Sequence, residues 1–116
     1  MHQFAYAEVM EDSLADARNR EREAFARSVS LLQAAARKNS YSPEAVEAIQ
    51  FTNKLWSVLI TDLSSPENQL SEQVRASLIS IGMWVLAETD KIRRRVSLNF
   101  QGIIDITRTI QAGLSH

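Results

Sequence analysis

The side chains able to do chemistry in this 116-residue sequence are few, and they do not assemble into a reaction centre. Asp62 and Glu67 form a carboxylate pair that could serve acid–base work. They flank a predicted helix end, however, where carboxylates ordinarily cap the chain or sit in solvent. Ser64, Ser65, Ser77 and Ser80 are hydroxyl nucleophiles that would need an activating base. The two histidines, His2 and His116, lie at the chain ends, where order is poorest. No cysteine is present, which removes thiolate catalysis, disulfides and cysteine metal sites. A Gly-rich phosphate loop, a His-Glu helix pair and an acidic calcium loop are all missing from the sequence. These residues predict a protein that is not an enzyme and uses no metal or cofactor.

Charge offers one further candidate. Lys91, Arg93, Arg94 and Arg95 form a basic run that could contact nucleic-acid phosphates. Its ordinary reading is a solvated helix C-terminus, where cations are favourable against the helix dipole. No aromatic residue interleaves with it to stack bases. The whole chain carries 13 Lys and Arg against 14 Asp and Glu, a net charge of −1 that gives no general attraction to nucleic acid.

The elements that would position these groups are helices. Three glycines and two prolines are few for this length, and no period-2 segment or hairpin signal is visible. The fold class is all-α, a compact antiparallel bundle of about four helices at 13–38, 43–63, 72–95 and 100–113, in a single domain. The first carries Phe25, Ser28, Val29, Leu32, Ala35 and Ala36 on one face. Ser42-Pro43 starts the second, with a hydroxyl at the N-cap and a pre-set φ behind it. Its apolar arc is wide enough to need contacts on more than one side. Ser71 caps the third helix, in which Val74, Leu78, Ile81, Val85 and Ile92 make one stripe. Ile79, Met83 and Leu86 make a second, and Gly82 between them lets another helix approach. The fourth helix has a one-sided stripe of Phe100, Ile103, Ile104, Thr107, Ile110 and Leu114. Helices two and three are expected at the centre.

Two features are left over. The run Arg18 to Glu23 interrupts the apolar face of the first helix, with Glu21 near its middle and Arg18 and Arg22 beside it. Buried charge needs a partner, either in the bundle or on another protein. Trp56 and Trp84 read first as core residues. The Ile79, Met83, Leu86 stripe either meets another helix of the bundle or forms a groove for a partner's helix. Residues 1–12 are apolar for a terminus, with Phe4, Tyr6, Val9 and Met10, and either pack on the bundle or order only in a complex. They lack the basic start and apolar run of a signal peptide, and no segment approaches the ~20 apolar residues of a membrane span. The expectation is a cytoplasmic protein that does not enter membranes.

Several ordered blocks resemble a known family. Phe4-Ala5-Tyr6-Ala7-Glu8-Val9 and Ala17-Arg18-Asn19-Arg20-Glu21-Arg22-Glu23 are similar to the opening of the FlaF family of bacterial flagellar biosynthesis regulators. So are Leu55-Trp56-Ser57-Val58-Leu59-Ile60-Thr61-Asp62-Leu63 followed by Pro66-Glu67-Asn68. Arg75 to Val85, which reads Arg-Ala-Ser-Leu-Ile-Ser-Ile-Gly-Met-Trp-Val, is the strongest block, and the fourth helix matches least distinctively. The resemblance implies a cytoplasmic protein that promotes flagellin synthesis or secretion, opposite a translational regulator called FlbT. A chaperone-like grip on flagellin suits it, since flagellin polymerises through apolar terminal helices that must stay covered before export. The alternative is post-transcriptional action on flagellin mRNA, directly or with FlbT; a homodimeric scaffold is a third reading. The partner surface expected from the residues is Ile79, Met83 and Leu86, bordered by Arg18, Glu21 and Arg22, with Tyr6 from the N-terminal segment.

Overall fold

The computed structural model describes residues 2–114, with side-chain surroundings described for residues 20–113. Among these residues are four helices and no strand: α1 (His2–Lys38), α2 (Pro43–Leu63), α3 (Glu72–Arg93) and α4 (Phe100–Leu114). The all-α bundle is therefore as the periodicity predicts. The largest difference in boundary is at α1, which begins at His2 rather than near Ser13. No Gly or Pro lies between them, so nothing in the backbone stops the helix there. The 37 residues of α1 span about 55 Å at ~1.5 Å per residue, close to the 58 Å long axis of the molecule.

Local chemistry sets the other ends. The Ser42 hydroxyl accepts from the Ala45 N–H at 3.2 Å, and the Ser71 hydroxyl accepts from Val74 N–H at 3.2 Å. Asn99 does the same for α4, its Oδ1 taking the Gly102 N–H at 3.0 Å. Helix α3 ends at Arg93 rather than Arg95, because Arg95 adopts φ 63°. Val96 N–H then reaches back to the Lys91 carbonyl and Arg95 N–H to that of Ile92, the paired closure typical of a left-handed C-terminal residue. Such a φ ordinarily favours Gly. Here the Arg95 guanidinium lies 4.7 Å from the centre of the Tyr41 ring, a cation–π contact that helps hold the turn.

The expected centre is corrected by the packing. Helices α1 and α2 form the middle of the bundle; α3 packs on α2 and α4 packs on α1. Small residues explain the central pair: Ala35, Ala45, Ala48, Ser28 and Thr52 are buried and let two backbones approach closely. The Ser28 and Thr52 hydroxyls share a hydrogen bond across that interface at 2.7 Å, as most buried polar groups find a partner. In the same core the Phe25 and Trp56 rings meet edge to face, 5.9 Å between centres. Phe25 and Ser28 of α1 thus meet Trp56 and Thr52 of α2 in reverse order, so the two helices are antiparallel.

Candidate partner-docking groove

A helix that has buried one stripe still presents a second face. On α4 the buried stripe is Phe100, Ile103, Ile104 and Thr107. Gly102, Asp105, Ile106 and Thr109 follow the same i, i+3, i+4, i+7 spacing on a neighbouring face. Across from them α3 presents Ser80, Ile81 and Trp84. Together these seven residues line a groove of about 510 Å³ between α3 and α4.

The groove exists because α3 and α4 do not close on each other as the other neighbouring helices do. Its walls carry three sizeable apolar side chains, Ile81, Trp84 and Ile106, against the small or polar Gly102, Ser80, Thr109 and Asp105. Those three side chains offer an incoming helix apolar contact that α3 and α4 make at most slightly with each other. Closure would take the Asp105 carboxylate out of water with no cation among the described lining residues. One Asp105 oxygen accepts from the Gln101 amide at 2.8 Å, and Thr109 Oγ1 donates to the Asp105 backbone carbonyl at 3.0 Å.

The two tryptophans part company here. Trp56 is 1% exposed and belongs to the core, as its sequence position predicts. Trp84 is 40% exposed on the groove wall, so its expectation as a core residue is corrected. Its neighbour Val85 takes the buried position. Consecutive helical residues point about 100° apart, so the two cannot share a face.

None of the expected partner residues on α3 lines this groove. Ile79 and Leu86 are half-buried, Leu86 against the core, while Met83 is exposed. On α1, Glu21 is half-buried and Arg22 exposed, and both are engaged by neighbouring groups. The side chains of Arg18 and Tyr6 lie outside the described residues. Among the described residues, α2 packs extensively against both α1 and α3, which make at most slight contact with each other. Asp105 and Ile106 are groove positions that periodicity left unassigned, and Trp84 is one that it placed in the core. The signal for Trp84 was its place beside Val85, off the line of the core stripe.

The basic run is occupied within the chain. Lys91 Nζ meets Glu88 Oε1 at 3.1 Å, and Arg94 Nε meets Asp90 Oδ2 at 2.9 Å. Arg93 pairs with the same Asp90, and Arg95 lies over Tyr41. The guanidinium of Arg93 beside Asp90 holds that carboxyl below its ordinary value of 3.8, and Arg94 adds to the effect. A smaller hollow of about 330 Å³ between α2 and α3, near Asn53, Lys54 and Arg93, includes this ion pair. Among the described residues there is no cluster of His, Cys, Asp and Glu that could hold a metal ion. Among the described residues, too, no helix is long and apolar enough to cross a membrane.

Fold and groove together define an open four-helix bundle with an apolar cleft between its two outer helices. The chain belongs to the flagellar protein FlaF family, whose model matches residues 2–114. Neither a curated protein nor a solved structure matches it.

Proposed function

We propose that this protein is a flagellar biosynthesis regulator that binds flagellin as a chaperone-like partner, promoting its synthesis and secretion. Membership of the flagellar family supports the flagellar setting. The observation that carries the binding mode is the α3–α4 groove with Trp84 half in solvent on its wall. A two-turn cleft with apolar walls is the shape that receives the apolar face of an amphipathic helix. Flagellin's terminal helices are such segments, and covering one in the cytoplasm would keep the monomer from polymerising before export. A bulky aromatic at the middle of such an interface commonly supplies a large share of the affinity.

The test is binding of purified monomeric flagellin, measured by calorimetry and size exclusion with the native chain and with Trp84→Asp. The native protein should form a complex; the variant should keep its helical circular dichroism and lose about 2 kcal/mol or more of binding free energy. Equal binding by both would remove the groove from the interface. The mRNA alternative draws no support from the basic run, since each of its four cations already has a partner within the chain.

A further inference from the structure

The polar side of the groove says what its occupant must carry. Asp105 is the one ionisable group among the described lining residues. Only one of its carboxylate oxygens is engaged, by Gln101, and no described donor reaches the other. It stands one residue from Ile106 and three from Gly102, in the middle of the α4 wall. A purely apolar helix laid into the cleft would cover this carboxylate and leave it without compensation, at a cost that erases much of the apolar gain. A helix bearing a cation at that level removes the cost and adds a charge-assisted hydrogen bond.

We propose that the segment held in the α3–α4 groove is an amphipathic helix whose apolar contact face is broken by one lysine or arginine, which pairs with Asp105. This rests on the flagellin reading of the groove and specifies which flagellin helix can enter it. The four α4 lining residues span Gly102 to Thr109, about 10 Å of helix at ~1.5 Å per residue. The occupant therefore engages over about two turns. Its anchors sit at i, i+3 or i+4, and i+7, with the cation flanking the central anchor. Ser80, small and exposed on the α3 wall, leaves room for its backbone to come close to the bundle. The apolar anchors supply affinity, while the single ion pair fixes register and direction, because a helix shifted by one turn brings an apolar residue over the carboxylate.

The experiment uses the full chain with Asp105→Asn and Asp105→Lys, monomeric flagellin, and flagellin variants in which single terminal-helix Lys or Arg residues become Glu. Circular dichroism should be unchanged for both Asp105 variants, since the residue is exposed. Asp105→Asn should weaken flagellin binding about tenfold at low salt, with the difference narrowing as salt rises. Asp105→Lys should weaken it further, and one flagellin charge reversal should restore it. Binding that is unaffected by Asp105→Lys but lost with Trp84→Asp would overturn the ion pair while leaving flagellin in the groove. Indifference to both substitutions would overturn the groove as the flagellin site.

Discussion

At Gly82 the α3 backbone comes close to α2. A Cβ built there would sit 2.8 Å from Trp56 Cε3 and 2.9 Å from Ile60 Cδ1. The Ile60 methyl could turn aside, but the Trp56 ring is locked in the core at 1% exposure. Gly82→Ala would ordinarily raise helix propensity by about 1 kcal/mol. Here the overpacking, about 1–3 kcal/mol, opposes and should exceed it. Denaturant unfolding is expected to show a net loss, and Gly82→Val should lose more. The neighbouring Met83→Asp is the control: at 58% exposure it should stay within about 0.5 kcal/mol of the native protein. An unchanged midpoint for Gly82→Ala would mean that α2 and α3 are not packed this closely. Trp84, one residue further on, lines the groove, and its substitution should act on flagellin binding rather than on folding.

At the scale of elements, helix ends are where local charge and backbone meet. The last turn of α3 is held by the Asp90 pairs with Arg93 and Arg94 and by the Arg95 contact on Tyr41. Folding lowers the Asp90 carboxyl below 3.8, with the Arg93 hydrogen bond as the first cause. A carboxyl whose folded value is depressed stabilises the fold above its unfolded value and loses that contribution as the pH falls through the folded one. The pairing should therefore be fully present at neutral pH and fade only below 3.8. An NMR titration of Asp90 should place its midpoint below 3.8, and Arg93→Gln should raise it. A midpoint at the ordinary value would show that the pair does not persist in solution. Both N-terminal serine caps, Ser42 and Ser71, were legible from sequence because a hydroxyl three residues before a free N–H is a purely local arrangement.

For the whole molecule, the spatial order α3, α2, α1, α4 gives the inner helices two neighbours each and the outer helices one. Stability is distributed accordingly, since local opening is governed by how much packing an element must give up. Amide exchange should be slowest around Leu32 and Ala35 of α1 and Ala48 and Thr52 of α2, all fully buried. It should be faster in α3 and α4 along the groove, at Ser80 to Trp84 and Gly102 to Thr109. Addition of flagellin should slow the groove amides selectively. Uniform protection across all four helices would contradict an open bundle. The Cα radius of gyration, 16.3 Å, exceeds the ~13 Å expected for a compact chain of this length, which reflects the length of α1 relative to the rest.

Helix number, the Ser42 and Ser71 caps, the buried stripe of α4 and the need for space at Gly82 could all be read from the residues alone. Each depends on side chains within a few positions of one another, where 3.6-residue geometry leaves little choice. The resemblance to the flagellar family was equally legible, because ordered blocks survive in the linear chain. What the residues could not settle was which apolar face meets which. Val85 and Trp84 are both large and apolar, as are Ile103 and Ile106, yet one of each pair is buried and the other borders the groove. Periodicity shows that a face must be covered; it does not name the cover. That choice was made by Ser28, Ala35, Ala45, Ala48 and Thr52, whose small volumes draw α1 onto α2 and make them the centre. The outer helices were left facing each other across Asp105, a carboxylate that neither can bury.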